Sequence, residues 1–276
     1  QFSYSIGSRY LFDKGVEARL SAGYAYRTPN FDELYTYMVD SNHNIQGNQD
    51  LVTEKSNYIE ANVKKNTSFK SGLTMYNSVS SGLMFVDDRI STVLISQEPT
   101  LSYKYINVDT YKMWNIASEN RFGYKNWNFA AGVSLIGVSQ QLSNNVSGTT
   151  SDDRFLYTFN INTALSYQLP EYQTQFTVYF KHNGKTQEFA DISSPGESNF
   201  VLSELESYNW IDASVRKTFF NGKFETMIGA RNLLNVVTLQ RSTTSSIGGG
   251  AHSASGTTLL GVGRSYFVKL TYNLNF

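Results

Sequence analysis

Apolar and polar residues alternate in the last eleven residues of the chain. Tyr266, Val268, Leu270, Tyr272, Leu274 and Phe276 are apolar or aromatic, and Lys269, Thr271, Asn273 and Asn275 between them are polar. A two-residue period places the two sets on opposite faces of a β-strand. An exposed apolar face promotes aggregation in water, but it is the pattern that a strand between lipid and an aqueous lumen requires. The pattern therefore predicts the closing strand of a transmembrane antiparallel β-barrel.

Similar alternation fills the rest of the chain, and no convincing helical periodicity accompanies it. The pattern predicts about eleven strands. They lie near residues 2–12, 16–28, 55–65, 70–97, 103–122, 127–141, 154–169, 174–188, 207–219, 223–241 and 257–276.

The connections alternate between short turns and long polar loops. Short turns are predicted at 13–15, 66–68, 124–126, 170–172 and 221–222, and longer connections at 29–54, 98–102, 142–153, 189–206 and 242–256. Outer-membrane barrels have short periplasmic turns and long outer loops, so a periplasmic C-terminus is expected. An odd strand count favours the C-terminal half of a larger barrel for residues 1–276, with the N-terminal strands absent. A missed strand is the alternative.

Composition narrows the class further. The chain has 23 Lys plus Arg and 23 Asp plus Glu, so no net charge points to a nucleic acid partner or to an anionic surface. Aromatic residues make up 14% of the sequence, which suits the aromatic girdles of membrane barrels. No apolar run approaches the roughly 18 residues of a transmembrane helix. The absence of cysteine excludes disulfides and thiolate chemistry.

Five short motifs occur in one order along the chain and resemble those of a known family. They are Tyr26-Arg27-Thr28-Pro29 followed by Glu33-Leu34-Tyr35; Gly47-Asn48-Gln49-Asp50-Leu51 followed by Glu54-Lys55-Ser56; Ile106-Asn107-Val108-Asp109; Ala230-Arg231-Asn232-Leu233-Leu234-Asn235; and Gly263-Arg264-Ser265-Tyr266 leading to the terminal Phe. Together they resemble the boxes of TonB-dependent outer-membrane receptors. Thr28 and Gln49 depart from the usual Ala and Pro.

The resemblance implies a 22-stranded barrel plugged by an N-terminal domain that this sequence does not contain. It implies a multi-pass protein of the Gram-negative outer membrane that imports a scarce chelate without chemical catalysis. The expected partners are the N-terminal half of the barrel, the plug, TonB acting through the plug and outer-membrane lipid, with a surface lipoprotein as a further candidate. The terminal residues Tyr266, Val268, Leu270, Tyr272, Leu274 and Phe276 would form the membrane-insertion signal.

Candidate ligand-binding residues lie in and beside the longest predicted loop. The resemblance suggests that His43, between the two first boxes, handles haem, because a neutral imidazole is a good iron ligand. Tyr35, Tyr37 and Met38 could stack on a flat chelate. Arg27 would line the lumen, where a structural ion pair competes with a ligand-binding role. For Tyr35, Tyr37, Met38 and His43 the alternative is that they are ordinary solvated loop residues without a ligand.

The predicted cargo is an iron complex, either haem or a ferric siderophore, with cobalamin, an oligosaccharide or a peptide as alternatives. No resident cofactor, metal site or catalytic set is predicted. Two other classes remain open: a smaller complete porin or barrel enzyme, and a soluble all-β binding module.

Overall fold

The computed structural model describes residues 2–39, 43–96, 101–141, 155–191, 200–243 and 256–274. Within these ranges seventeen strands join in one sheet. The strands are β1 (Tyr4–Leu11), β2 (Val16–Arg27), β3 (Tyr37–Val39), β4 (His43–Gln46), β5 (Glu54–Ser68), β6 (Thr74–Ser96), β7 (Leu101–Tyr124), β8 (Trp127–Gln141), β9 (Leu156–Leu169), β10 (Thr174–Asn183), β11 (Thr186–Asp191), β12 (Phe200–Leu205), β13 (Tyr208–Phe219), β14 (Phe224–Arg231), β15 (Thr238–Thr243), β16 (Gly256–Leu259) and β17 (Ser265–Tyr272). The helix α1 spans Phe31–Tyr35, and 3₁₀ turns span Asp13–Gly15 and Pro170–Tyr172.

Eleven principal strands pair antiparallel in the order β1-β2-β5-β6-β7-β8-β9-β10-β13-β14-β17. The predicted all-β fold is therefore confirmed. Short connections join β1–β2, β5–β6, β7–β8, β9–β10 and β13–β14, and we name that edge of the sheet the turn end. The opposite edge is the loop end. Among the described strands, β1 and β17 each have a partner on one side only.

Three short hairpins extend the sheet at the loop end: β3–β4, β11–β12 and β15–β16. Strand β4 also runs parallel to the start of β7, which ties the first hairpin to the sheet. Strands β6 and β7 contain 23 and 24 residues. At about 3.3 Å per residue they reach well beyond a hydrocarbon layer of about 30 Å. The extra length of β6 and β7 lies at the loop end, because short turns join β5–β6 and β7–β8 at the other end.

The two faces of the sheet differ in polarity. Rows of apolar residues cross one face, such as Val215, Ile228 and Val268 on three adjacent strands. Ile228 is 58% and Val268 65% exposed, so no second protein layer covers them among the described residues. Within the same ranges the buried apolar residues are Leu51, Val86, Ile90, Val108, Tyr111 and Leu239. We name this apolar face the outer face, since a sheet without a packed layer needs lipid against it.

Helix periodicity was expected nowhere, and α1 corrects that expectation. Asn30 caps its first turn by accepting a hydrogen bond from the Glu33 amide, and Glu33 accepts one from the Asn30 amide. This reciprocal pair is a capping box, which stabilises a single turn that has no hydrophobic period of its own. Within the described ranges no helix is long and apolar enough to span a membrane.

Three predicted boundaries were also wrong. The turn predicted at 66–68 follows Ser68 instead, because β5 and β6 stay paired as far as Ser68 and Thr74. The strand predicted over 223–241 ends at Arg231, because Asn232 and Asn235 adopt positive φ angles of 53° and 56°. The strand predicted over 257–276 is interrupted before Ser265. Phe276 lies outside the described residues.

Candidate functional site

The inner face of the sheet carries Arg27, which was predicted to line a lumen, together with other charged residues. Near the turn end, Glu17 is 7% exposed and is surrounded by three cations. Its carboxylate accepts Arg9 Nη2 at 2.7 Å and Arg19 Nε at 2.5 Å, and Lys64 Nζ lies 3.3 Å away. These residues come from β1, β2 and β5, so the cluster links three strands across the inner face.

Arg27 binds two carboxylates at the loop end. Its Nε donates to Glu54 Oε2 at 2.6 Å and its Nη2 to Oε1 at 3.0 Å. Its Nη1 donates to both oxygens of Glu33 in α1, at 2.8 and 2.9 Å. Glu54 Oε1 also accepts the Ile90 amide of β6 at 2.6 Å. Arg27 therefore joins β2, β5, β6 and the helix, and its guanidinium is engaged in a structural ion pair.

This Arg27 cluster lies beyond the apolar belt, because Lys55 and Asp87 occupy the outer face at the same level. Burial acts to raise the pKa of the Glu54 carboxyl, while Arg27 and the Ile90 amide lower it. The net pKa of Glu54 is below its ordinary value. The carboxylate thus stays ionised and holds Arg27 in place.

The structure gathers the predicted loop residues around one hairpin but does not test their roles. Tyr35 ends α1, is 51% exposed and lies 5.0 Å from the Phe31 ring centroid. Tyr37 and Met38 open the hairpin as part of β3 and are 78% and 46% exposed. His43 begins β4, where its backbone pairs with Leu101 of β7. A ligand-binding role for these residues and for Arg27 remains a prediction.

Sequence reasoning missed a concave site on the inner face of β9, β10 and β13. Register places Asn162, Lys181 and Trp210 in one row and Asn183 beside Tyr208 in the next. Together with Tyr179, Asp212, Leu260, Thr163 and Phe180, they line a concavity of ≈ 520 Å³. We name it the β9–β13 concavity. Alternation of Tyr179, Lys181 and Asn183 was the available signal, but only the register of three strands joins it to Trp210.

The hydrogen-bond donors of the β9–β13 concavity are incompletely used. The Nδ2 atom of Asn183 is buried and has no hydrogen-bond partner. Lys181 is exposed and forms no ion pair with any described residue. The Asp212 carboxylate accepts Trp210 Nε1 at 2.7 Å and the Asn232 amide at 2.8 Å. A cation, an orphan amide and aromatic rings together suit a ligand that is anionic or rich in acceptors.

Histidine and carboxylate side chains form no metal-binding cluster among the described residues. No group of three or more His, Cys, Asp or Glu there could hold a metal ion. His182 Nδ1 lies 2.8 Å from Asn209 Oδ1, and its ring is 6.4 Å from the Phe159 centroid. Register places His182 in the outer-face set with Phe176 and Val178. His252 lies outside the described residues.

Comparison with known proteins places this architecture. The model of the outer membrane protein beta-barrel family matches residues 5–258. None of the curated proteins matches the chain by sequence. The FrpB iron transporter of Neisseria meningitidis is 12% identical, with a TM-score of 0.65 over 98% of this chain and 39% of its own.

Two further solved structures share the fold. The copper transporter OprC is 16% identical, with a TM-score of 0.64 over 97% of this chain and 39% of that one. The siderophore receptor PirA of Acinetobacter baumannii is 16% identical, with a TM-score of 0.62 over 98% of this chain and 40% of that one. The chain therefore spans about two fifths of the length of these structures.

Proposed function

The chain belongs to the outer membrane protein beta-barrel family, and from this premise we propose that it forms part of the barrel wall of a TonB-dependent receptor. The receptor takes up a scarce chelate across the outer membrane, with the turn end and the C-terminus on the periplasmic side. The observation that carries the proposal is the fold match over nearly the whole chain to transporters and a siderophore receptor. The five ordered motifs support it independently.

The proposed partners within the receptor follow from the open edges of the sheet. Strands β1 and β17 each pair on one side among the described strands, and an unpaired edge in hydrocarbon costs several kcal/mol per group. Further strands that close the barrel would satisfy both edges. The similar structures are more than twice as long, which leaves room for those strands and for a plug domain. TonB would act through the plug.

We propose an iron chelate, haem or a ferric siderophore, as the cargo. The β9–β13 concavity supports the choice, because unpaired Lys181 and the orphan Asn183 amide favour an anionic, acceptor-rich ligand. Aromatic rings of Tyr179, Tyr208 and Trp210 would pack against a flat chelate. The α1–β3–β4 region, with Tyr35, Tyr37, Met38 and His43, would supply contacts from the loop end. Of the two proposed cargoes, haem is the one whose binding would depend on His43.

Growth under iron limitation tests the proposal. A strain that lacks the full-length gene should grow poorly on the imported chelate and recover with the wild-type gene. Ligand titration of the purified protein then separates the cargoes. If haem is the cargo, haem binding should shift the Soret band, and His43→Ala should abolish that shift. Equal haem affinity and identical Soret spectra in the wild type and in His43→Ala would exclude haem as the cargo. Lys181→Gln should weaken an anionic siderophore about tenfold, as expected for loss of one charged contact.

A smaller complete porin is the main alternative, and conductance distinguishes it. An open porin would pass ions steadily through a planar bilayer, whereas a plugged receptor would not. Unselective conductance together with normal growth on all iron sources would refute receptor function.

A further inference from the structure

Six lysines lie at the turn end of the sheet, although the whole chain has a formal net charge of zero. They stand in the connecting turns or on an outer-facing position near the end of a strand. The six are Lys14, Lys65, Lys70, Lys125, Lys217 and Lys223. Only Asp13 and Glu171 oppose them in the same turns and outer positions. We name the six lysines the turn-end collar.

The collar lysines are available to an external partner. Lys14, Lys70, Lys125 and Lys223 are exposed. Within the described residues, none of the six has an ion-pair partner. The inner-face anion Glu17 cannot neutralise them, because Arg9, Arg19 and Lys64 already surround it. The positive charge of the collar therefore faces outward.

Aromatic rings lie at the same level as the collar. Lys125 Nζ is 5.3 Å from the Tyr124 ring centroid, and Lys217 Nζ is 5.5 Å from that of Phe219. Trp127, 48% exposed on the next strand, lies 4.4 Å from the Tyr167 ring. Rings of this kind mark the boundary between hydrocarbon and headgroups. The collar is thus held at headgroup depth.

Two collar residues project from the outer face itself. Lys65 follows Val63 by two residues on β5, and Lys217 follows Val215 by two on β13. Both valines belong to the apolar rows that meet lipid. A lysine there buries its aliphatic stem against the sheet and extends its ammonium to the interface. From charge complementarity and depth, we propose that the turn-end collar binds the phosphates of anionic phospholipid headgroups.

This proposal does not rest on the transported ligand. The loop end carries charges of both signs, because acidic residues such as Asp32, Asp50, Asp87 and Asp88 lie there among its cations. Anionic lipid is therefore expected at one leaflet only. A lysine close to an anionic bilayer surface contributes about fivefold in affinity, and the effect declines with added salt.

Trp127 offers a built-in reporter beside Lys125. In the reconstituted full-length protein every tryptophan except Trp127 is replaced by Phe, including Trp114 and Trp210, so that Trp127 alone fluoresces. Brominated phosphatidylglycerol and brominated phosphatidylcholine are then compared as quenchers. We expect phosphatidylglycerol to be favoured about fivefold, and Lys125→Gln to remove that preference. Lys125→Arg, which keeps the charge, should retain it, and Lys185→Gln at the loop end should leave it unchanged.

Four results would overturn the proposal. They are equal quenching by the two lipids in the parent, an unchanged preference in Lys125→Gln, an equal loss in Lys185→Gln, and displacement of the lipid by inorganic phosphate. The last would indicate a free-anion site instead. A salt titration of the parent needs no variant at all. The preference should fall as salt rises, and a salt-independent preference would also count against the collar.

Discussion

Replacing Arg27 by Gln should loosen the segment around α1 without unfolding the sheet. Arg27 donates four hydrogen bonds to Glu33 and Glu54. The two carboxylates are only 12% and 15% exposed in their side chains, so both would stay largely buried without a countercharge. The helix would then lose its tie to β2 and β5.

The magnitude lies between those of buried and exposed ion pairs. Removing one partner of a buried pair costs about 3–5 kcal/mol, whereas an exposed pair contributes about 0–1 kcal/mol. The Arg27 side chain is 44% exposed, so water screens part of the interaction. We expect about 1–2 kcal/mol, which corresponds to a roughly 5- to 30-fold change in local opening.

Amide hydrogen exchange measures that opening directly. The amides of Leu34 and Thr36 in and after α1 should exchange faster by this factor in Arg27→Gln, while those in the middle of β7 should not. Arg121→Gln is the matched control, because Arg121 pairs with Glu119 on the same sheet and both side chains are well exposed. That control should leave exchange in α1 unchanged. Rates in α1 within twofold of the parent, or equal acceleration throughout β7, would refute this account.

Three further outcomes are expected. Acid should loosen α1, because the folded pKa of Glu54 is lowered. The stabilisation that ionised Glu54 contributes is complete above its unfolded pKa of about 4.3 and is lost as the pH falls through the folded pKa. Amide hydrogen exchange in α1, corrected for intrinsic rates, should therefore stay flat from neutrality to about pH 5. Asn232→Ala should cost about 2–3 kcal/mol in thermal unfolding, since this residue, 1% exposed, donates to and accepts from Val236. Gly47→Ala should cost about 1–3 kcal/mol and speed proteolysis of the loop, since a Cβ there would lie 2.7 Å from the Leu34 carbonyl; unaltered cleavage would contradict this.

The principal strands could be predicted from sequence because lipid imposes a simple pattern on them. Val63 and Val79, or Val215 and Ile228, meet across strands and each needs an apolar environment on the outer face. A two-residue period therefore survives in the sequence even without a packed core. Turns such as Asp13–Gly15 were also predictable, because Lys14 and Gly15 adopt positive φ angles in a tight connection.

The loop-end structures could not be predicted in the same way. Helix α1 is one turn long, and tertiary bonds stabilise it: the Asn48 amide donates to the Glu33 carbonyl and the Gly47 amide to that of Thr36. A helix of five residues is too short to show a 3.6-residue hydrophobic period in the sequence. The β9–β13 concavity is equally hidden, because Lys181 and Trp210 meet only through the register of β10 and β13.

Equal numbers of acidic and basic residues suggested no charged partner, but the fold separates those charges in space. Inner-face cations such as Arg9 and Arg19 are committed to Glu17, and Arg27 is committed to Glu33 and Glu54. Those ion pairs neutralise charge where a lumen would focus an electric field. Among the described residues, the lysines without an ion pair include those of the turn-end collar and Lys181 in the β9–β13 concavity. Charge that folding leaves uncompensated must be solvated or matched by an external anion. The two proposed anionic partners, lipid and chelate, therefore follow from topology rather than from net charge.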